Sequence, residues 1–441
     1  MTWLQPLYTA DEMKAAEAGH DVDAMMERAG SAVAAAVSRD YPGARVVAVC
    51  GKGANGGDGR IAAGKLGAEV VEVGADLPAA DIVIDAIFGT GFHGEPREEA
   101  ARSIDAIRTA GVPVVSVDVP SGVNASTGEV AGACVSATQS VTFHGEKVGI
   151  AVAPGSLRSG RVEVADIGLE RAETAHARVT SEIAREIPRR ERDGNKYRSG
   201  SLLVIGGAPG LTGAVSLTAE AAFRADAGYV TVCTPRESMQ VVEIRLVEAV
   251  KLPLEEVMEA AERAGALALG PGLGRADGAK ALTRRLLEET ELPAVVDADA
   301  LFGLEPFERS APTVLTPHSG ELARLLDVET AWVDAHRLEA ARRAVERFRC
   351  VVLLKGNDTI VAAPAGRTLV SAGTPRLATA GTGDVLTGIV GAFLSKGMDA
   401  QVAAAAAARV HADAALAWPH ERGLVASDVI AELPGVLDAA L

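Results

Sequence analysis

The sequence predicts an α/β protein of two domains, each a parallel sheet between layers of helix. Three observations carry that expectation. Short β-branched runs alternate with helical stretches, glycine-rich turns follow several of those runs, and one charged stretch after Ile167 interrupts the alternation. A chain of 441 residues also exceeds what one hydrophobic core usually supports.

From Thr9 to Val37 apolar residues recur at helical spacing, with Ala29-Gly30 allowing close packing. Arg45–Cys50 (RVVAVC) is the first strand-like run, and EVVEV, DIVIDAIF and VPVVSVDVP continue the series. Strands alternating with helices imply parallel pairing through right-handed crossovers. The segment ERAETAHARVTSEIAREIPRRERDGNKYRSG is charged and holds no long apolar run, which places a junction near residue 175 and divides the chain into 1–175 and 176–441. Strand patterns resume as SLLVIGG, YVTVCTP, ALALGPG, AVVDADA, TVLTP and CVVLLKG, and the chain closes in helices that include ARVHADAALA. No repeat relates the halves, so two different folds are expected.

Composition narrows the function classes. Hydrophobic residues make up 48%, ample for burial, and the wealth of Ala, Val and Gly suits helices packed closely on a buried sheet. A formal net charge of -16 excludes a broad nucleic-acid-binding surface. It leaves room for a nucleotide pocket, because backbone dipoles act locally. Cys50, Cys134, Cys233 and Cys350 lack metal-like spacing and read as buried thiols of a reducing compartment. The start, MTWLQPLYTADEMK, lacks a basic segment followed by an apolar run, and no stretch approaches the roughly 18 apolar residues of a membrane span. A cytoplasmic protein that does not enter membranes is expected.

In the N-terminal half, VVAVCGKGANGGDGR joins a strand to a helix through Gly51, Gly53, Gly56, Gly57 and Gly59. Such a turn admits close approach of a ligand, and the amides at the helix start suit phosphate. The bland alternative is a tight turn and nothing more. Asn55 and Asp58 add oxygen atoms to this loop. Asp85 lies near a strand end before the loop Gly89–Glu95, and Asp118 ends another strand ahead of Pro120 and Ser121. Carboxyl ends of neighbouring parallel strands form a crevice, so the three loops are expected to converge. Lys147 reads as a solvated lysine and stays outside the site.

GKGANGGDG, DAIFGTGFHGE, VDVPSG and TFHGEKVG, in that order, resemble the NAD(P)H-hydrate epimerase family over residues 8–168. The resemblance implies a Rossmann-like domain and a potassium ion beside a hydrated nicotinamide, with Asn55, Asp85 and Ser121 as ligands. Hard oxygen donors suit an alkali cation. It implies substrate contacts at Ala54, Asn55, Gly56, Gly57 and Asp58, at Gly89, Thr90, Gly91, Phe92, His93, Gly94 and Glu95, and at Asp118. The family loop usually has a second asparagine where Ala54 stands, so a contact there is restricted to the backbone amide. Epimerisation breaks and remakes the bond to the ring hydroxyl, which needs a group that gives and takes a proton. Asp118 is the candidate, against the alternative that it caps the turn before Pro120.

In the C-terminal half, SLLVIGGAPGLTGAVSLTAEAAFRADAGYVTV is a strand, a glycine-rich turn and a long helix of small residues. ALALGPGLG ends in a Gly/Pro turn at Gly274, AVVDADAL puts Asp297 and Asp299 at a strand end, and TVLTPHSGELARLL sets His318 before Glu321 at a helix start. Taken alone, His318 is as readily a hydrogen-bonded structural group as a pyrophosphate contact. VVLLKGNDTIV places Lys355, Gly356, Asn357, Asp358 and Thr359 at a hairpin-like turn. In ATAGTGDVLTGIVGAFLSKGMD, Gly381 and Gly383 lead into Asp384 at a helix start, where amides can stabilise a transferring phosphoryl group and a carboxylate can take a proton from a hydroxyl. The competing reading makes Asp384 an ordinary helix cap.

The series GGAPGLTGA, GPGLG, TPHSGE, KGNDT and GTGD resembles the ADP/ATP-dependent NAD(P)H-hydrate dehydratases of the ribokinase-like superfamily, over residues 178–440. The resemblance implies a ribokinase-like domain in which Ala214, Gly274, His318 and Asp384 meet the hydrate, and residues 355–359 and Gly383 meet the adenine nucleotide. It implies ADP as co-substrate, magnesium as a further cofactor, and assembly into a homo-oligomer. The implied reaction phosphorylates the hydroxyl and so turns a poor leaving group into phosphate. The implied partners are small molecules: hydrated NADH or NADPH, and ADP. A ribokinase-like small-molecule kinase with an N-terminal nucleotide-binding module is the alternative, as is a non-catalytic binding protein.

Overall fold

The computed structural model describes residues 1–190 and 199–439. It divides into two compact units: Pro6–Ala177 with Asp334–Leu338, and the described residues of Met1–Gln5, Arg178–Val333 and Glu339–Leu441.

The first unit is built on six strands: β1 (Val46–Cys50), β2 (Glu69–Glu72), β3 (Ile82–Ala86), β4 (Val114–Val117), β5 (Gln139–Phe143) and β6 (Arg161–Ala165). They pair in the order β2-β1-β3-β4-β5-β6, every pair parallel. Alternation along a strand sends successive side chains to opposite faces. Val46, Ala48 and Cys50 accordingly pack with Met25, Ala29, Val33 and Val37 of helix α1 (Val22–Asp40). Val47 and Val49 pack with Ala100, Ile104 and Ile107 of another helix, Glu98–Thr109. The result is three layers, as expected. The strand order reverses between β1 and β3, and loops leaving the carboxyl ends there open a crevice.

Helix α2 (Ala54–Leu66) begins inside the glycine-rich turn, with Gly53 as its cap. A Cβ at Gly56 would lie 1.9 Å from the carbonyl oxygen of Gly51, so only glycine lets the turn close on itself. All four cysteines are unpaired and buried, in accord with the reading of their spacing.

In the second unit the strands are β7 (Ser201–Ile205), β8 (Tyr229–Thr234), β9 (Val250–Pro253), β10 (Ala266–Leu269), β11 (Ala294–Val296), β12 (Thr313–Leu315), β13 (Val351–Leu354), β14 (Asp358–Ala362) and β15 (Thr368–Ala372). Their order is β9-β8-β7-β10-β11-β12-β13-β14-β15, parallel as far as β13 and antiparallel beyond it. The order reverses between β7 and β10, again marking a crevice. Helices α3 (Thr212–Arg224), α4 (Ser319–Leu326), α5 (Thr382–Ser395) and α6 (Ala400–Ala417) follow the glycine-rich or polar turns that the sequence singled out. Helix α5 is buried along nearly its whole length. No described helix is long and apolar enough to cross a membrane.

Candidate active sites

The crevice of the first unit gathers the three predicted loops. Asp85, at the end of β3, is fully buried. Its Oδ1 accepts from the Ser121 hydroxyl at 2.5 Å, and its Oδ2 accepts from the Ser121 amide and the Ser116 hydroxyl at 2.9 Å each. Phe88 ties the third residue in. Its carbonyl accepts from Asn55 Nδ2 at 2.9 Å, and its amide donates to Ser121 Oγ at 2.9 Å. Burial pushes the Asp85 carboxyl up, and no basic side chain is paired with it among the described residues. Buried hard oxygens around an uncompensated carboxylate fit a monovalent cation.

Ala54 is exposed in the first turn of α2, where its amide has no intrahelical acceptor. Gly56 and Asp58 are buried on the same turns, with Gly57 half-buried. The loop Gly89–Glu95 is mostly exposed, and Phe92 stacks on Phe88 with ring centroids 4.5 Å apart.

Asp118 follows β4 in the left-handed region, at φ 65°. Its Oδ1 lies 2.7 Å from Lys147 Nζ and accepts from the Thr142 hydroxyl at 2.9 Å. The Lys147 ammonium also donates to Thr142 Oγ1 at 3.0 Å and to the Phe143 carbonyl at 2.7 Å. Lys147 is 1% exposed, so the solvated reading of it is corrected. The chain turns back after β5 and aims the lysine at three acceptors that no linear pattern announces. An ammonium is stable in such a place only when paired and hydrogen-bonded.

Asp58 stands in contrast. Its Oδ1 is buried without a hydrogen-bond partner among the described residues. Burial, then Asp118, then Glu17, push its carboxyl up to about 8. Folded Asp58 therefore keeps a proton that the unfolded chain releases near pH 4, and stability drains away as pH rises between those values. Asp58→Asn is expected to melt higher than the parent at pH 8, with the difference shrinking toward pH 4. Calorimetry across that range checks it, and a pH-independent difference would refute the assignment.

The second unit brings its motifs to one crevice too. Lys355 leaves β13 and puts Nζ 2.7 Å from Asp297 Oδ1 and 3.8 Å from Glu321 Oε2. Asp297 Oδ2 accepts from the Thr387 hydroxyl of α5 at 2.6 Å. Burial opposes the charge on Lys355, but Asp297 and Glu321 outweigh it and raise its pKa. Asp384 lies in the first turn of α5. Burial first, then Asp297, push its carboxyl up to about 7, with Lys355 acting the other way.

The turn before α5 depends on Gly381, at φ 88°, where a Cβ would meet Leu217 Cδ1 at 2.7 Å. Gly381→Ala is expected to cost about 1–3 kcal/mol of stability. It should also weaken nucleotide binding by displacing Gly383. Urea unfolding and calorimetric titration read the two effects separately.

His318, Lys355, Gly356, Asn357, Thr359 and Gly383 line one cavity of about 650 Å³. His318 also caps α4: its Nδ1 accepts from the Gly320 amide at 3.0 Å, and its backbone amide donates to Glu321 Oε2 at 2.9 Å. The structural reading of His318 is met by this cap, and the residue also lines the cavity. Asp358, buried at the start of β14, does not line the cavity, nor do Ala214, Gly274 and Asp384. The Gly274 amide donates to Asp299 Oδ2 at 2.9 Å, and the Ala208 amide donates to the Gly272 carbonyl at 2.7 Å, joining the turns after β7 and β10. No described group of three His, Cys, Asp or Glu converges on a metal position. Asp297 is already committed to Lys355 and Thr387. Among the described residues the donor set forms no protein cage for magnesium.

Comparison with known proteins decides the family. Residues 202–434 match the model described as NAD(P)H-hydrate dehydratase, and residues 22–77 and 62–149 match that of the YjeF-related protein N-terminus. A bifunctional NAD(P)H-hydrate repair enzyme of Moorella thermoacetica is 37% identical, over 94% of this chain and 92% of its own length. That of Escherichia coli is 33% identical, over 94% and 89%. The chain belongs to the bifunctional NAD(P)H-hydrate repair enzyme family. Among solved structures, the ADP/ATP-dependent NAD(P)H-hydrate dehydratase of Bacillus subtilis, co-crystallised with ATP and magnesium, aligns with a TM-score of 0.55. It is 28% identical over 59% of this chain and 98% of that one. Membership of the repair family favours the dehydratase reading over the kinase alternative. Sequence reasoning left Lys147 outside the candidate site, whereas the structure pairs it with Asp118. The signal was present in TFHGEKVG, one of the four epimerase-like motifs, but a lysine's burial is not written in its neighbours.

Proposed function

We propose that residues 1–175 epimerise the R and S hydrates of NAD(P)H, and that residues 176–441 dehydrate the S hydrate with ADP. The overall activity, repair of hydrated nicotinamide nucleotides, is that of the family. The observation that carries the division is the contrast of carboxylates. Asp118 is ion-paired to a buried lysine, whereas Asp384 sits at a helix start beside a nucleotide-sized cavity.

In the first site the ring nitrogen supplies electrons as the hydroxyl departs from its carbon, and water returns to the other face. Asp118 takes the proton of the incoming water and returns it to the departed hydroxide, which leaves as water, and Lys147 holds the carboxylate in place. Asp58, protonated near neutrality, donates to the substrate. The residues 54–58 and 89–95 frame the nicotinamide. Asn55, Asp85 and Ser121 would hold potassium, whose positive charge would favour departure of the hydroxyl.

In the second site Asp384 takes the proton of the substrate hydroxyl as its oxygen attacks the terminal phosphorus of ADP and AMP leaves. The carbon–oxygen bond then breaks with electrons from the ring nitrogen, phosphate departs, and loss of a neighbouring proton restores NAD(P)H. Amides of the Gly383 turn and Lys355 balance the charge on the phosphoryl group. Ala214, Gly274 and His318 contact the hydrate, while Gly356, Asn357 and Thr359 contact the nucleotide and buried Asp358 supports their turn from behind. Magnesium, when bound, would neutralise charge on the transferring phosphoryl group. A homo-oligomer in the cytoplasm completes the reading, and buried unpaired thiols accord with a reducing compartment.

The test is incubation with mixed R and S NADPH hydrates, ADP, magnesium and potassium, following the reduced nicotinamide absorbance. Full conversion is expected with potassium. Replacing potassium by lithium should leave rapid conversion of the S form and stall the R form. Loss of neither form, or release of a stable phosphorylated product, would reject the proposal.

A further inference from the structure

Two aspartates follow the end of β11, two residues apart, and each holds one cation. Asp297 holds Lys355, which lines the nucleotide cavity. Asp299 holds Arg275. Its Oδ1 accepts from the guanidinium Nε at 2.9 Å, and its Oδ2 accepts from the Gly274 amide at 2.9 Å. One carboxylate thus fixes both Arg275 and the turn after β10. Neither Arg275 nor Asp299 lines the nucleotide cavity. The guanidinium carbon also lies 5.2 Å from the centroid of the Phe302 ring, and Lys280 Nζ lies 5.3 Å from the same centroid. Lys280 and Phe302 line a separate cavity of about 330 Å³.

Asp299 takes Nε, and Phe302 lies against the guanidinium, so the Arg275 side chain is held at two points. Its Nη1 and Nη2 carry no hydrogen bond to the described residues, and the side chain is 58% exposed. A guanidinium held this way presents a rigid fork of donors, which suits the paired oxygens of a phosphate. Lys280, 3.4 Å from exposed Asp277, adds a second positive charge at the same ring. Such a concentration of cations is unusual on a chain with a formal net charge of -16. It also adjoins Gly274, on the side of the site away from the nucleotide cavity. The hydrate of NADH brings a pyrophosphate, and that of NADPH brings a 2′-phosphate as well.

We propose that Arg275 is a substrate-binding residue of the dehydratase site, its exposed guanidinium nitrogens donating to a phosphate group of the NAD(P)H hydrate. This rests on the assignment of the Gly274 turn to the hydrate. Asp299 is then a positioning residue, because it sets the turn and the fork together. The two aspartates divide the charge of the site, Asp297 holding a cation for the nucleotide and Asp299 a cation for the hydrate.

The experiment is steady-state dehydration by the full chain with ADP and magnesium, using the S hydrates of NADH and of NADPH, for the parent, Arg275→Gln and Arg275→Lys. Arg275→Gln is expected to raise the KM for the NADPH hydrate about tenfold while the KM for ADP stays that of the parent. Arg275→Lys keeps the charge but loses the fork, so its KM should fall between the two, and it serves alone if the glutamine variant does not fold. Added salt should raise the hydrate KM more steeply in the parent than in Arg275→Gln, a difference that a purely structural role would not produce. A rise for both hydrates assigns the contact to the pyrophosphate, and a rise for the NADPH form alone assigns it to the 2′-phosphate. Hydrate KM values equal to the parent's, or a rise in the KM for ADP instead, would overturn the proposal. A parent that consumes neither hydrate would overturn the reading of the second unit on which the role rests.

Discussion

Asp384→Asn is expected to lower the rate of ADP-dependent dehydration by about 10²- to 10⁴-fold, the usual worth of a positioned acid–base group. The epimerase reaction should persist, because Asp384 and Asp118 belong to separate compact units. The parent's pH profile makes the claim specific. A base must lose its proton before it acts. With the carboxyl pushed up to about 7, the rate should climb tenfold per pH unit below that value and level off above it. The same shift carries a stability cost with the opposite trend. The folded chain holds a proton on Asp384 that the unfolded chain loses near pH 4, so stability falls as pH rises toward 7. The asparagine variant escapes that loss and should melt higher than the parent at pH 8. A variant that is less active and also less stable at pH 8 would point to a structural role.

Asp118→Asn is expected to be the more damaging change to the fold. It leaves the Lys147 ammonium buried without its counter-charge, and breaking a buried pair from one side costs about 3–5 kcal/mol. Interconversion of the hydrates should fall by about 10²- to 10⁴-fold. The two losses can be separated. Asp118→Asn with Lys147→Met removes both charges, so much of the stability should return while epimerisation stays lost. Lys147→Met alone should leave Asp118 in place but less firmly held, with an intermediate rate. Recovery of activity in the double variant would show that Asp118 acts only through folding. R-hydrate consumption and urea unfolding, measured on all three, decide the matter.

Much of both candidate sites was legible along the chain because their polar residues sit where strands end. Gly56 and Gly381 had to be glycine for reasons of local backbone geometry, and such demands leave a visible letter in the sequence. Asp85, Asp297 and Asp384 stood beside apolar runs whose alternation with helices already implied parallel sheets. The reversal of strand order, which opens each crevice, was less accessible. It depends on which strands pair, and pairing joins residues distant in sequence.

Sequence alone determined that two α/β domains carry glycine-rich loops at strand ends, and its motifs were enough to indicate the family. Tertiary structure decided which polar groups are paired and which are left waiting. Sequence neighbours leave Lys147 reading as a solvated side chain, whereas its ammonium lies among Asp118, Thr142 and Phe143. His411 is one letter in an alanine-rich helix, yet it lines a cavity with Lys355 and Thr382. The physical reason is the same for both. Backbone requirements act between neighbours and are recorded locally, whereas burial and charge depend on every element that packs around a group.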